Sequence, residues 1–469
     1  MKKTVFGTCG IRKKFDEDFS GPKWLEIGMA IGTYLGKGSM VLIGRDTRQT
    51  AELVEYAIVS GLLSCGCQVY ILQGSRESPY VTTSTIAYST KHFQADAGIQ
   101  VTASHNTPDY IGIKIWQKSG MGFSPAMEEE IDSIFAKKRF RLAKWNEIKK
   151  VKYILNANDT HLQAILEHIE VPLPFKKKVT IAVDPGNGAA CEIGPRLLQK
   201  LGVNVVTINA QPDGLFPGRN SEPTEHNLRT LIKMVKNDDE LFLGVAYDGD
   251  ADRVRFVDGK GVLHDGDRVL LLFALNLIES GKGSPSVVTP INSSKVLEDQ
   301  LEEKGISVSR TKIGDISVAI RMQETNARIG GEISGTYTWP EIHLGPDSLF
   351  STAKLLELLA NKCCLEEMME NIPQYHVFHD NIEFSEEIFR EITRSKLEGL
   401  MVEFAREKHI NIQEITKLDG IHVSLPGGFL LIRTSGTSPL IRITSEHEQE
   451  QRAKELIEKL KVAVTSSIG

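Results

Sequence analysis

Short apolar runs alternate with amphipathic stretches along most of the chain. Met40–Gly44 and Gln68–Leu72 have the length and apolar character of buried strands, and Ala51–Leu63 between them has the apolar spacing of a helix. The same order returns twice, in Val179–Val183, a helix to Leu201 and Val203–Ile208, and in Ser286–Thr289, Ser293–Lys304 and Ile306–Ser309. These modules predict three related α/β domains with largely parallel sheets.

The pattern changes after Cys364, where helix-like stretches over residues 385–409 precede short strands around Gly420–Ile432. We therefore predict a smaller α+β domain in this region. Upstream, the basic stretch Lys137–Lys152 separates the first module from the second. The helix that follows it is expected to be capped by Asn158, Asp159 or Thr160. The predicted domains span residues 1–152, 153–256, 257–370 and 371–469.

Composition excludes several classes of protein. The chain has 469 residues, of which 41% are apolar and 25% charged, as in ordinary globular proteins. The net charge of −6 argues against a nucleic-acid-binding protein, and six cysteines without a C-x-x-C pair argue against a disulfide scaffold or structural zinc. The longest apolar run, Val269–Ile278, is too short to span a membrane, and the first residues lack the apolar core of a signal peptide. We expect a cytoplasmic protein that binds neither membranes nor nucleic acid.

The most informative local sequence is Asp248–Arg253, which follows the strand-like run Leu241–Ala246. Three carboxylates occupy alternate positions in it, at Asp248, Asp250 and Asp252. Oxygen ligands that converge in this way suit Mg²⁺, which leaves room for a phosphate oxygen. A solvated acidic turn is the alternative. Asp265–Arg268 looks similar but lacks the third carboxylate, so we interpret it as a helix cap and the first stretch as a metal site.

Two further turns carry hydroxyl groups. Ser104 lies in Thr102–Asn106 after a strand-like run, where its hydroxyl would act as a nucleophile beside His105. A plain polar turn is the alternative there. Arg433–Pro439 follows the strand-like run Phe429–Ile432 and combines an arginine, hydroxyls and backbone amides around a glycine. These groups suit a phosphate dianion, although a plain turn would explain them equally well.

A nucleotide-binding loop does not accompany these turns. Gly32–Lys37 has three residues between its glycines instead of the four of a Walker A loop, and no G-x-G-x-x-G opens a helix after a strand. The residues therefore suggest phosphate chemistry without a nucleotide.

Five segments, in order along the chain, resemble motifs of the α-D-phosphohexomutases, the family of phosphoglucomutase, phosphomannomutase and phosphoglucosamine mutase. They are Phe6–Arg12 (F-G-T-x-G-I-R), Thr102–Asn106 (T-A-S-H-N), Asp248–Arg253 (D-G-D-x-D-R), Gly331–Gly335 (G-E-x-S-G) and Arg433–Pro439 (R-x-S-G-T-x-P). The sequence after Gly335 looks most like archaeal-type members. The resemblance implies three related α/β domains and a smaller C-terminal α+β domain around a central cleft, with one loop from each domain.

The resemblance also implies an activity, namely the interconversion of hexose 1-phosphate and hexose 6-phosphate, with mannose, glucose or glucosamine as the hexose. The reaction would pass through a phosphoserine at Ser104 and a hexose 1,6-bisphosphate, which also acts as activator. Mg²⁺ would be held by Ser104 and the three aspartates. Lys114 and His105 are candidates for acid–base work, and Arg12 and Arg253 match basic residues beside the transferring phosphate. Substrate contacts are expected from Thr8, Lys312, Glu332, Ser334, Arg433, Ser435, Gly436, Thr437 and Arg442.

Two other functions stay open, a slow Mg²⁺-dependent sugar-phosphate phosphatase and a non-catalytic sugar-phosphate-binding protein. The phosphatase is motivated by departures from the family pattern near Ser104, where Thr107 replaces a proline, and at Pro346, because they would let water reach the phosphoserine. Whether these departures and those at Lys13 and Thr336 slow or redirect the reaction stays open. The intact aspartates and Arg253 argue against a non-catalytic protein, which has no need of a metal. The preferred hexose and the oligomeric state stay open at this point.

Overall fold

The computed structural model describes residues 5–7, 10–16, 19–281, 283, 286–435 and 439–468. The chain forms two compact units. The first comprises residues 1–266 and 334–368, and the second comprises residues 267–333 and 369–469.

The first unit contains a six-stranded sheet, ordered β1-β5-β4-β2-β3-β6, and a four-stranded sheet, ordered β10-β9-β7-β8. The strands are β1 (Ile11–Lys14), β2 (Met40–Arg45), β3 (Gln68–Leu72), β4 (Ala97–Val101), β5 (Tyr110–Trp116), β6 (Lys152–Ile154), β7 (Thr180–Asp184), β8 (Asn204–Thr207), β9 (Leu241–Tyr247) and β10 (Val254–Asp258). The helices are α1 (Gly21–Leu35), α2 (Ala51–Ser64), α3 (Thr83–His92), α4 (Pro125–Lys137), α5 (Ala157–Leu166), α6 (Ala190–Lys200) and α7 (Arg229–Lys236).

The centre of the six-stranded sheet is buried on both faces. β2 pairs in parallel with β3 on one side and β4 on the other, and all five residues of β4 are buried. Strands of this kind are continuous apolar runs because helices cover both faces of a parallel sheet. The polar residues after β4 therefore emerge at the carboxyl edge of a rigid core.

The second unit contains the parallel strands β12, β11 and β13, paired in that order, and an antiparallel sheet ordered β15-β19-β18-β17-β16. Later elements of the chain are α8 (Gly266–Glu279), β11 (Ser286–Pro290), α9 (Val296–Leu301), β12 (Ser307–Thr311), α10 (Asp315–Thr325), β13 (Ile329–Gly331), β14 (Tyr337–Thr338), α11 (Ser348–Asn361), α12 (Leu365–Glu370), β15 (His376–Glu383), α13 (Glu386–Arg390), α14 (Arg394–Glu407), β16 (Glu414–Thr416), β17 (Ile421–Leu425), β18 (Gly428–Thr434), β19 (Leu440–His447) and α15 (Glu450–Ile468). Apolar residues of α14 and α15 pack with the antiparallel sheet in one core.

The fold class is confirmed, because three groups of parallel strands with helices precede an antiparallel sheet with helices. The expected cap of α5 is wrong. The helix begins at Ala157 after Asn156, which makes no side-chain cap hydrogen bond. The Asn158 side chain donates to the Tyr80 carbonyl, and Asp159 pairs with Arg196. These side chains therefore bind residues distant in sequence instead of capping the helix. The four domain boundaries stay a prediction. None of the helices that the structure describes has the length and apolarity needed to cross a membrane.

Candidate active site

The serine loop, residues 102–106, leaves β4 with Ser104 fully buried in a left-handed conformation at φ 51°. The Ser104 backbone N–H donates to Thr102 Oγ1 at 2.8 Å, and the Thr102 hydroxyl donates to Asp46 Oδ2 at 2.6 Å. The Ser104 hydroxyl itself donates to Asp248 Oδ2 at 2.8 Å, and its oxygen is 3.3 Å from His105 Nδ1. The structure thus brings the predicted nucleophile to a carboxylate from a loop more than one hundred residues away.

Arg48 stabilises this loop and the residues after it by donating hydrogen bonds to their backbone carbonyls. Its Nη2 donates to the carbonyls of Ser104 and Asn106 at 2.8 and 2.7 Å, and its Nη1 donates to those of Thr107 and Tyr110 at 2.6 and 3.0 Å. Its Nε donates to Asp46 at 3.2 Å, so each of its five N–H groups has an acceptor. Sequence reasoning missed Arg48. The local sequence shows only an aspartate and an arginine two residues apart after β2, and this pattern indicates no particular function.

The metal loop, residues 248–253, leaves β9 at its carboxyl end. Ligand oxygens of Asp248, Asp250 and Asp252 lie within 4.8 Å of one another, and all three side chains are buried. The Asp248 Oδ1 accepts the backbone N–H groups of Asp252 and Arg253 at 3.1 and 3.2 Å, which curls the loop around that carboxylate. In the part of the chain that the structure describes, Asp250 Oδ1 and Asp252 Oδ1 are buried without a hydrogen-bond partner. Buried oxygens in this state fit a cation.

Close packing fixes the metal loop against its neighbours. A Cβ on Gly249 would lie 2.6 Å from the Ser104 carbonyl oxygen, so only glycine allows this approach of the two loops. Thr83, at the start of α3, donates its hydroxyl to Asp250 Oδ2 at 2.6 Å. The Ala251 carbonyl accepts the Ser348 hydroxyl at 2.6 Å. Thr83 and Ser348 are further residues that local sequence patterns did not reveal.

Lys114 supplies the central cation among the described side chains. It projects from β5, which runs antiparallel to β4, and only 3% of it is exposed. Its Nζ donates to Asp250 Oδ2 at 2.8 Å and also to Asp252 Oδ2. A buried cation shared by two carboxylates offsets much of their repulsion.

The pKa values of the buried groups in the site are shifted in different directions. Burial, followed by the charges of Asp252 and Asp250, raises the pKa of Asp248 well above its ordinary value. Burial also opposes ionisation of Asp250, but the Lys114 ammonium, the Thr83 hydroxyl and the Arg12 charge together outweigh it and lower the pKa of that carboxyl. Burial and the nearby cations of Arg253, Arg12 and Lys114 lower the pKa of His105 to about 2, so His105 is neutral.

Two arginines border the serine and metal loops. Arg12 lies on β1 opposite Gly112 of β5, and its Nε is buried without a hydrogen-bond partner among the described residues. Arg253 donates to Glu222 Oε1 at 3.1 Å, and its Nε is 3.9 Å from Asp252 Oδ1. The charges of both arginines act on His105, the residue after Ser104.

Ser334 lies next to Gly335, which contacts the strand that follows the metal loop. The Gly335 carbonyl accepts the Val254 N–H at 3.0 Å, next to Arg253. A Cβ on Gly335 would lie 2.3 Å from the Val254 carbonyl oxygen, which fixes this approach.

The remaining predicted contacts, Thr8 apart, belong to the second unit. Lys312 follows β12, Glu332 follows β13, and Ser435 follows β18, where its N–H donates to the Leu440 carbonyl at 2.9 Å. Arg433 and Arg442 stand opposite each other on β18 and β19, and Arg433 Nη2 is 3.7 Å from Asp419. The Arg433 Nε is buried without a partner among the described residues, as suits an anion receptor. Thr8, Gly436 and Thr437 lie outside the described residues.

A second buried cluster was not foreseen. His161 Nε2 and His343 Nε2 lie 2.9 and 3.0 Å from the same oxygen of Asp347. The Gly345 N–H donates to His343 Nδ1, so that ring carries its proton on Nε2 and donates to Asp347. A metal-ligating histidine would instead donate from Nδ1. The cluster is therefore a hydrogen-bonded link between α5 and the start of α11.

Known domain families match most of the chain. Models of the phosphoglucomutase/phosphomannomutase alpha/beta/alpha domains match in order, domain I over residues 3–142, domain II over 159–261 and domain III over 265–375.

Full-length relatives and solved structures extend the similarity. A protein of Methanococcoides burtonii named probable phosphoglucosamine mutase is 37% identical over 94% of this chain and 95% of its own. A phosphoglucomutase/phosphomannomutase of Thermococcus kodakarensis is 37% identical over 97% of each chain. The crystal structure of a phosphoglucomutase/phosphomannomutase family protein from Burkholderia thailandensis shares the fold, with a TM-score of 0.82 at 24% identity over 99% of this chain and 97% of the other. With these domains in order and these relatives over nearly its whole length, the chain belongs to the phosphoglucomutase/phosphomannomutase family, the α-D-phosphohexomutases.

Proposed function

We propose that the protein interconverts hexose 1-phosphates and hexose 6-phosphates by way of a phosphoserine at Ser104 and a hexose 1,6-bisphosphate. The observation that carries this proposal is the buried Ser104 hydroxyl, 2.8 Å from Asp248 Oδ2 and next to His105, on which the charges of Arg253, Arg12 and Lys114 act. A hydroxyl in such a cationic environment suits the transfer of a dianionic phosphoryl group.

The chemistry is a pair of phosphoryl transfers. In the first, a substrate hydroxyl oxygen bonds to the phosphorus of phospho-Ser104 as the bond to Ser104 Oγ breaks. In the second, the Ser104 oxygen bonds to the phosphorus of the other phosphoryl group as the bond from that phosphorus to the sugar oxygen breaks, which restores the phosphoserine and leaves a sugar hydroxyl. The proton would pass by way of Lys114, which would give one of its protons to the leaving oxygen and take up the hydroxyl proton in its place. His105, the second candidate, is disfavoured as a base because its pKa is lowered to about 2. Arg12 and Arg253 would offset charge on the moving group.

The three aspartates fit Mg²⁺, because carboxylate oxygens are its preferred ligands and two of theirs are buried without a partner among the described residues. When bound, the ion supplies positive charge beside the phosphoryl oxygens. Asp248, Asp250 and Asp252 would hold it with the Ser104 oxygen.

Substrate recognition falls to residues outside this cluster. Arg433, Ser435, Thr437 and Arg442 would hold the distal phosphate, with Gly436 offering a backbone N–H. Glu332, Ser334, Lys312 and Thr8 would contact the sugar. The names of the relatives make glucosamine, glucose and mannose the hexoses to test.

The test is a ³¹P NMR time course with Mg²⁺, trace glucose 1,6-bisphosphate and the 1-phosphates of glucose, mannose, glucosamine and N-acetylglucosamine in parallel. We expect 6-phosphate signals from wild type and from Ser60→Ala, a control at an exposed helical serine, and none from Ser104→Ala. Normal turnover by Ser104→Ala would refute the proposal. Inorganic phosphate without isomerisation would make the protein a phosphatase.

A further inference from the structure

A basic strip, residues 137–155, has no part in the proposed mutase chemistry. It runs from the end of α4 to just beyond β6 and exposes large apolar side chains. Trp145 is 90% exposed, Leu142 63% and Tyr153 55%. Leu142, Trp145 and Ile148 are three residues apart, and Trp145 opens a 3₁₀ turn. Residues at this spacing lie on one side of such a turn.

The exposure of the basic strip is built into the fold. The Ala143 N–H donates to the Ser64 carbonyl at 2.8 Å, and Arg141 Nη2 donates to the carbonyls of Gly32 and Cys65 at 3.3 Å. Glu147 pairs with Lys37. Because the backbone is held at these points, Trp145 is presented outward by a fixed turn, and a solvated tryptophan of this kind marks an interaction surface.

The charge of the strip is one-sided. Residues 137–152 contain eight lysines and arginines and a single glutamate, whereas the chain as a whole is acidic. In the part of the chain that the structure describes, Arg139, Lys149 and Lys150 are exposed and pair with no carboxylate. An anionic partner would meet these charges without first breaking ion pairs.

The strip also contains an open sheet edge. Among the strands that the structure describes, β6 is the last of its sheet and pairs only with β3. The Ile154 carbonyl accepts the Gln73 N–H at 2.8 Å, so the backbone groups of Tyr153, one residue earlier, face the unpaired side. An added strand would satisfy them.

We infer that the basic strip binds an extended acidic segment of another protein, which pairs with β6 and places apolar side chains against Trp145 and Leu142. A lipid bilayer would leave the Tyr153 backbone groups unsatisfied. A nucleic acid would not use the strand edge, and a second copy of this chain would set Lys149 and Lys150 against like charges.

Fluorescence gives a direct test. Trp24, Trp116 and Trp339 are buried, so iodide quenches Trp145 selectively among the four tryptophans. The probe is a fluorescein-labelled peptide of roughly ten residues that alternates glutamate with valine. We expect it to bind the full chain in anisotropy titrations, to protect Trp145 from iodide and to lose affinity with added salt. Lys149→Glu with Lys150→Glu should weaken binding about tenfold or more, and Trp145→Ala should weaken it too.

The control is Lys176→Glu with Lys177→Glu, the same charge change at another exposed lysine pair of the same unit. Equal affinity of the two double variants would overturn the inference. So would protection of Trp145 by phosphatidylserine vesicles or single-stranded RNA but not by the peptide, or a dimer in sedimentation velocity that already shields Trp145. All variants should keep wild-type mutase activity.

Discussion

Replacing Arg48 with methionine would remove the support of the serine loop while keeping an unbranched side chain. Four loop carbonyls and the Asp46 carboxylate would lose their donor, because all five N–H groups of Arg48 are used within 3.2 Å. Removing one partner of a buried ion pair costs about 3 to 5 kcal/mol, and an unsatisfied buried carbonyl costs about 1 to 3 kcal/mol. These costs overlap, so we expect Arg48→Met to lower the free energy of unfolding by about 4 kcal/mol or more.

The effect on turnover is best measured with Arg48→Lys. Lysine keeps a charge near Asp46 but lacks the planar fork that reaches the carbonyls of Ser104, Asn106, Thr107 and Tyr110 together. A displacement of Ser104 by about 1 Å is expected to lower kcat by about 100-fold. KM should change little, because the expected sugar and distal-phosphate contacts are made by other residues.

The assay is urea unfolding followed by fluorescence of Trp24 and Trp116, which are buried in the same unit, together with steady-state mutase kinetics. Arg139→Met is the matched control, at an exposed arginine without a carboxylate partner among the described residues. It should change neither the free energy of unfolding nor kcat. Arg48→Met within about 1 kcal/mol of wild type, with normal kcat in Arg48→Lys, would refute the assigned role.

Three further outcomes follow from buried groups. Burial raises the pKa of Glu446 to about 8, above its ordinary 4.5, so the unfolding free energy should fall as pH rises from about 4.5 to about 8. Urea unfolding measured over this pH range should show a smaller fall for Glu446→Gln than for wild type. An equal fall in both would contradict the assignment. Gly249→Ala should abolish most mutase activity, because its Cβ would meet the Ser104 carbonyl. Gly399→Ala, inside α14, should stabilise the protein by up to about 1 kcal/mol, because its Cβ would meet no atom within 4 Å beyond the helix itself. Equal effects of the two changes would disprove the packing argument. Asp347→Asn should lower the melting temperature by breaking the link to His161 and His343, and elemental analysis of wild type should find no zinc; zinc lost on substitution would show that the cluster is a metal site.

Local sequence patterns predicted those features of the fold and the site that depend on residues close together in the chain. The alternating aspartates at 248, 250 and 252 are visible in the sequence because one loop supplies the whole carboxylate group. The strand and helix order was predicted because apolar spacing sets which segments are buried.

Long-range partners explain what was missed. Arg48 meets carbonyls 56 to 62 residues away, and Thr83 meets Asp250 across 167 residues, so neither pattern exists in any short window. The expected cap at Asn158 or Asp159 failed for the same reason, since Tyr80 and Arg196 compete for those side chains. Propensity for capping is a weak guide where tertiary partners are in reach.

The left-handed backbone at Ser104 has a consequence for the stability of the protein. A residue with a Cβ at φ 51° is strained by about 1 to 2 kcal/mol relative to glycine, so the proposed nucleophile destabilises the fold that positions it. Ser104→Gly should therefore be inactive and yet at least as resistant to urea as Ser104→Ala. Selection for greater thermostability alone would favour loss of the proposed nucleophile, and activity screening must accompany any attempt to stabilise this protein.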